Sequence, residues 1–309
     1  MSTPAATPEL LEGAIPLVAA RRRREWVQTI LDAWHLQRTK IGFFIFIAVL
    51  AVALIGPFVA PYSPTQFVGP PYSPPHPPTT WLGTDYIGHD VLTRVLWGGR
   101  TVFSLAIAAT FIGLVLGVTL GIIAGYAKRA TDETIMRLLD VLLAFPQIVL
   151  ALLLISVIQV TPTQRLLLIV FTVGLSHMPR IARVTRAATL EVVGRDFVKA
   201  AEALGVPRRK ILAYEVLPNI TSPLLVEFGL RLTYSIGLIA ALSFLGFGLQ
   251  PPAADWGLMI NENRIGIPVN PWAVAVPVFL IGALTIGTNL MADGLARALM
   301  GIDRDTGAK

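Results

Sequence analysis

Charge-free stretches of about twenty residues, the length that crosses a bilayer's hydrocarbon core at 1.5 Å per helical residue, alternate along the chain with polar segments. The first, Ile41 to Ala60 (IGFFIFIAVLAVALIGPFVA), holds no ionisable residue. A second runs from about Thr101 to Tyr126. A third runs from about Ile135 to Ile158, entered through Arg137 and Asp140. The fourth is weaker: Leu166 to Leu175 is apolar, but the helix must continue through Met178, Ile181 and Val184, past Arg180 and Arg183, to be long enough. A fifth covers about Ile220 to Phe247 and a sixth about Trp272 to Met291. The pattern predicts an all-α polytopic membrane protein with six transmembrane helices.

Composition agrees. Charged residues make up 14% of the chain and apolar ones 54%, with a mean hydropathy of +0.67. An ordinary soluble domain carries about 25% charge, so this chain lacks the charge to cover a soluble surface. With no cysteine, disulfides, thiolate metal sites and cysteine nucleophiles are excluded. Residues 1–20 lack the short apolar core and small-residue cleavage site of a signal peptide; Arg21 to Arg24 then form a basic amphipathic approach to the first span.

The net charge of +6 is distributed unevenly. The N-terminal tail, the Tyr126 to Arg137 connection, the stretch from Arg180 to Pro218 and the C-terminal tail hold 20 of the 25 Lys and Arg. Arg94, Arg100, Arg165 and Arg264 fall on the opposite side. By the positive-inside rule, both termini are expected in the cytoplasm, and nucleic acid is not needed to explain the charge. The expected division is a cytoplasmic tail over 1–40, the first helix and an outer loop over 41–100, a core over 101–293 and a cytoplasmic tail over 294–309.

The outer segment Pro61 to Thr80 is dense in proline, which forbids helix and predicts a stiff extended crossing. The other outer loop, Gln250 to Pro271, contains Trp256, and Trp272 follows it; both suit a membrane interface.

Candidate chemistry is sparse. Ala109, Gly113, Gly117, Gly121 and Gly125 recur every four residues, so one face of the second span lets another backbone approach closely. Tight packing within one subunit and a moving contact or subunit interface both fit that face. Pro146 predicts a kink inside the third span, and Arg137 and Asp140, three apart, predict an ion pair. Glu227 and Arg231 are four apart in the fifth span, spaced to neutralise each other toward a polar pathway, a partner subunit or the chain's own interior. His35, His76, His89 and His177 are too scattered for a metal site, and GTDYIGHD (Gly83 to Asp90) lacks the frame of a calcium loop. No phosphate-binding GxxxxGK[ST] and no GxSxG occurs, so no cofactor is expected in this chain and catalysis by it alone is not.

The most informative segment is DFVKAAEALGVPRRKILAYEVLPN, Asp196 to Asn219. Asp196 can cap a short helix, Gly205 can take the left-handed position that ends it, and Pro207 suits the first turn of the next. Helix, tight turn and helix then form a bracket between the fourth and fifth spans. Such a bracket fits either a groove on a cytosolic partner or the membrane surface.

Here the chain resembles the permease subunits of binding-protein-dependent ABC importers, whose cytoplasmic EAA loop has two alanines, a glycine four residues after the second, and a hydrophobic stretch ending in Leu-Pro. Ala200, Ala201, Gly205, Leu217 and Pro218 match; Lys199 stands at the acidic position. WLGTDYIGHDVLTRVLWGGR (Trp81 to Arg100), AGY (Ala124 to Tyr126), RLLDVLLAFP (Arg137 to Pro146) and LSFLGFGLQPPAADWG (Leu242 to Gly257) narrow the resemblance to the C-type subunit of dipeptide, oligopeptide and nickel importers. His89, where that family usually has Arg, and the ending NLMADGLARALMGIDR depart from its pattern.

The resemblance implies a MetI-like type I permease fold in a bacterial inner membrane. It also implies a second homologous permease, two cytosolic ATPase subunits or fused halves that hold the ATP and Mg, and an extracytoplasmic solute-binding protein. The loop at 190–219 would be the coupling element, with Ala200, Ala201, Glu202, Leu204, Gly205, Leu217 and Pro218 toward an ATPase. Glu227, Arg231, Gly113, Gly117 and Gly121 are the candidates for a pathway or subunit interface. The rival reading, an ion-gradient-driven secondary transporter, needs buried acids at the midplane, and Glu227 is the single candidate.

Overall fold

The computed structural model describes residues 31–127, 129–158 and 161–300. The basic run Arg21 to Arg24 and most of the two tails lie outside the described residues.

Nine α-helices of eight residues or more carry the described fold: α1 (Gln37–Val59), α2 (Val91–Tyr126), α3 (Arg129–Leu143), α4 (Gln147–Val157), α5 (Pro162–Val193), α6 (Asp196–Ala203), α7 (Thr221–Phe244), α8 (Trp256–Asn263) and α9 (Trp272–Met300). Five of them, α1, α2, α5, α7 and α9, are long and apolar enough to cross a membrane, and α3 with α4 makes a sixth crossing only if counted as one bent span.

The third span is not a kinked helix. Its two arms meet at 85°, and Pro146 lies outside both, at the N-cap of α4 with φ −55°. Lacking an N–H, proline cannot continue the ladder of α3 but is well placed to begin a new helix. The polar arm α3 docks on α5 through ions. Arg186 reaches Asp132 (2.5 Å), and Arg183 pairs with Asp140. The expected Arg137–Asp140 pair is thus replaced by one between helices: Asp140 finds its partner on α5 instead of one turn away on its own helix.

The glycine face of α2 is filled by α5. A Cβ built on Gly113 would stand 2.7 Å from the Gly174 carbonyl oxygen, on Gly117 2.7 Å from Ile181 Cβ, and on Gly125 2.7 Å from Thr189 Cβ. The two backbones touch along four turns, and this seam is internal to the chain. Of the two readings the face allowed, the structure realises packing within one subunit; Gly113, Gly117 and Gly121 are spent on α5 and are not open for a pathway or another subunit. The reason is α5's own small or flat positions, Gly174, Ala182, Thr185 and Thr189, which accept them.

α2 begins ten residues before its expected start, because Asp90 caps it: the Asp90 carboxylate accepts from the Thr93 amide (2.8 Å) and hydroxyl (2.7 Å). At the same end of the molecule, the proline-rich loop folds into compact turns rather than an extended crossing. Backbone bonds from Val68 to Gly88 (2.9 Å), Thr84 to Ser73 (3.0 Å) and Asp85 to His89 (2.9 Å) hold it. Trp256 is no interface residue either. It is fully buried against Gly98 and Gly99, its indole N–H donating to the Val95 carbonyl at 2.8 Å, whereas Trp272 is 47% exposed.

Candidate functional site: the bracket, the buried pair and the opposite cap

The bracket forms much as its residues dictate. α6 ends where Gly205 adopts φ +73°, with its N–H bonded to the Glu202 carbonyl (3.0 Å) and the Val206 N–H to the Ala201 carbonyl (3.1 Å). These two bonds satisfy carbonyls left open by the last turn, and glycine is the residue that enters this region without a Cβ penalty. Asp196 is not the cap: Arg195 occupies that position, and Asp196 lies in the first turn. Pro207 stands one residue earlier than expected, as the N-cap of a turn over Arg208–Lys210. That turn widens into a π-helical stretch, Ile211–Val216, and then a 3-10 turn, Leu217–Asn219, leading into α7.

A small buried cluster holds the bracket on the bundle. Val198, Ile211 and Val216 from the bracket join Val192, Ile220 and Leu224, with Val118, Ile122 and Tyr126 of α2 packed against them. The predicted coupling residues therefore divide. Ala200, Leu204 and Gly205 point away from the chain; Leu204 is 83% exposed and no atom lies within 4 Å of a Cβ built on Gly205. Ala201 instead turns toward the small cluster, and Glu202 gives one carboxylate oxygen to the Tyr126 hydroxyl at 2.5 Å. Leu217 and Pro218 stand at the root of α7, partly covered.

Glu227 and Arg231 pair as their spacing predicts, Nε to Oε2 at 2.8 Å, with side chains 10% and 9% exposed. The guanidinium also lies 5.4 Å from the Tyr234 ring centroid. The pair is held among the helices of this chain, and the acid is already neutralised, which removes the free midplane carboxylate that a secondary transporter requires.

The opposite end holds a polar site in which Asp85, Tyr86, His89 and Arg94 of the segment Trp81 to Arg100 meet Glu262 of a distant loop. Asp85 is completely buried; its carboxylate accepts from the amides of Ile87 (3.0 Å) and His89 (2.8 Å), lies 3.2 Å from the His89 ring nitrogen Nδ1, and pairs with Arg94. Arg94 in turn reaches Glu262 at 2.9 Å, and the Tyr86 hydroxyl donates to Glu262 at 3.1 Å. Burial, then the neighbouring Glu262 carboxylate, pushes the Tyr86 phenol up to about 12, so it stays a donor. The loops at residues 61–90 and 250–271 are thereby locked together, with Asn263 accepting from the Tyr86 amide (2.9 Å) and Asn270 donating to the Leu82 and Thr84 carbonyls (3.0 and 2.9 Å). Arg94 looked like a topological marker; it is the ionic centre of a cap. Among the described residues, no cluster of histidine and carboxylates is arranged to hold a metal ion.

This arrangement joins an outward-facing bracket at one end of a helix bundle to a rigid cap at the other. The family model for the binding-protein-dependent transport system inner membrane component matches residues 117–301. The chain belongs to this family. A di/tripeptide transport system permease protein of Pseudomonas aeruginosa is 34% identical to it over 268 residues, covering 84% of this chain and 86% of that protein. A glutathione transport system permease protein of Pectobacterium atrosepticum is 33% identical over 259 residues, covering 84% of each. In a structure of the methionine ABC transporter MetNI in inward-facing form, one chain matches with a TM-score of 0.51 at 20% identity, over 68% of this chain and 96% of that one. The fold is that of an ABC importer permease. The protein is accordingly a multi-pass inner-membrane transport component and not an enzyme.

Proposed function

We propose that this permease forms half of a transmembrane pathway for short peptides or peptide-like solutes, beside a second homologous permease. An extracytoplasmic binding protein delivers the solute, and two cytosolic ATPase subunits, holding ATP and Mg, drive the cycle. The relatives named above, which carry dipeptides, tripeptides and glutathione, support the solute class. Both termini and the bracket face the cytoplasm in this reading, in keeping with the 20 basic residues gathered on that side.

The observation that carries the proposal is the open face of α6. An apolar Leu204 left 83% exposed beside a glycine with empty space in front of it is an unfilled contact on a firmly anchored lever. With no phosphate-binding motif, the chain cannot hold nucleotide, so its coupling is mechanical: a two-state element biased by its partner's nucleotide state.

Co-purification tests it. The solubilised complex should bring down an ATPase subunit and a second permease. Gly205→Asn, which tolerates a positive φ but adds bulk, should lose the ATPase and keep the permease. Retention of the ATPase by both Gly205→Asn and Gly205→Leu would refute the docking role. Uptake by vesicles holding this polypeptide alone would refute the whole reading.

A further inference from the structure

The bracket is joined covalently to α5 on one side and α7 on the other, but α2 ends seventy residues before α6 begins. Nevertheless α2 is tied to it. Tyr126, the last residue of α2, donates its hydroxyl to Glu202 in the first arm of the bracket at 2.5 Å. Arg208, at the start of the second arm, stands with its guanidinium carbon 6.0 Å from the Tyr126 ring centroid. One side chain thus grips both arms, on either side of the Gly205 turn. Among the described residues this is the single hydrogen bond between α2 and the bracket.

What lies behind Tyr126 decides what the grip can do. Gly125 precedes it, and a Cβ there would meet Thr189 at 2.7 Å; Gly121, one turn earlier, faces the Ala182 carbonyl and Thr185, each at 2.5 Å. Backbones in contact do not slide or compress by small amounts, since packed seams resist deformation. A displacement received by α6 and passed through Tyr126 therefore moves α2 together with α5. Without the grip, the bracket meets α2 directly only through apolar contacts with Val118 and Ile122, and its motion reaches α2 otherwise only by way of α5.

We propose that Tyr126 and Glu202 form a latch that transmits the bracket's displacement to the α2–α5 seam, acting as positioning residues for the coupling of hydrolysis to transport. Glu202 therefore serves its own chain rather than the ATPase surface. The inference rests on the reading that the bracket meets a nucleotide-driven partner.

The test uses the complete complex, with both permeases, both ATPases and the binding protein, in proteoliposomes. Solute uptake and ATP hydrolysis are measured together, using the di- or tripeptide that most raises the thermal midpoint of the binding protein. Tyr126→Phe and Glu202→Ala should each raise the ATP consumed per solute carried by about threefold to tenfold, as expected for loss of one hydrogen bond. The double variant should be no worse than either single one, because both remove the same link. Glu202→Gln keeps the acceptor oxygen and should stay near the wild-type ratio. Capture of the ATPases should be unchanged throughout, which separates a lost latch from a lost docking surface. A wild-type ratio in Tyr126→Phe, or losses that multiply in the double variant, would overturn the latch. Should Tyr126→Phe fail to assemble, the contrast between Glu202→Ala and Glu202→Gln decides alone: equal ratios overturn it. Absence of ATP-dependent uptake in the wild-type complex would instead overturn the coupling reading itself.

Discussion

Replacing Gly121 by alanine adds one methyl group where the seam has no room. The new Cβ would stand 2.5 Å from both the Ala182 carbonyl oxygen and Thr185 Cβ, against 3.4 Å for ordinary contact, a shortfall of about 0.9 Å. The carbonyl belongs to a helix backbone and cannot rotate away, so α2 and α5 must separate locally. Overpacking of this kind costs roughly 1–3 kcal/mol, while alanine in place of a mid-helix glycine returns roughly 0.5–1 kcal/mol. The difference spans about 0–2.5 kcal/mol, and a contact with helix backbone that cannot yield puts this site in its upper half, a net loss of about 1 kcal/mol or more. Gly237 in α7 supplies the control, since a Cβ there meets nothing within 4 Å and only the helix-propensity gain remains. The two substitutions are chemically identical and should differ in sign. The assay is the thermal midpoint of the purified chain in detergent, where 1 kcal/mol corresponds to roughly 2–4 °C for a chain of this size. Gly121→Ala should fall by a few degrees and Gly237→Ala should hold or rise. A Gly121→Ala variant as stable as wild type would refute the claim that the seam is closed by backbone contact.

Three further outcomes follow from buried charge. Glu227→Gln leaves Arg231 buried without its counter-ion and should cost about 3–5 kcal/mol, whereas Glu227→Gln combined with Arg231→Met should cost less; thermal unfolding of the two variants beside wild type checks the order. Asp85→Ala removes the acceptor that holds the Ile87 and His89 amides, the His89 ring and Arg94, and in the purified protein should expose residues 61–90 to added protease, read as cleavage within that loop. Asp255 caps α8 by accepting from the Leu258 amide at 3.0 Å, and its burial raises its carboxyl from 3.8 to about 6. A raised carboxyl favours the protonated folded form, so that contribution is complete below pH 3.8 and is lost as pH rises through about 6. Asp255→Asn keeps the capping oxygen without the charge, and should raise the thermal midpoint relative to wild type above pH 6 but not below pH 4; a pH-independent difference would refute it.

Several features of the chain were legible without coordinates because they depend on short windows. Twenty apolar residues identify a span wherever they lie, four-residue spacing puts Gly113, Gly117 and Gly121 on one face, and i, i+4 spacing makes Glu227 and Arg231 neighbours. The left-handed turn at Gly205 belongs to the same class, since the energy difference between glycine and any other residue there is local.

Whatever involved a choice among distant partners had to wait for the tertiary structure. Asp140 sits one turn from Arg137 yet pairs with Arg183, and Tyr86 meets Glu262 across 176 residues of chain. Whether Trp256 lay at the membrane surface or in the core turned on the gap left by Gly98 and Gly99. Proline at 146 announced a disturbance, but the 85° break arose because the polar arm before it could bond its acids to α5. Hydropathy and backbone preference are properties of a segment and are written in its residues. The pairing of buried charges and the filling of grooves are properties of the packed whole, where each group takes the partner that burial leaves within reach.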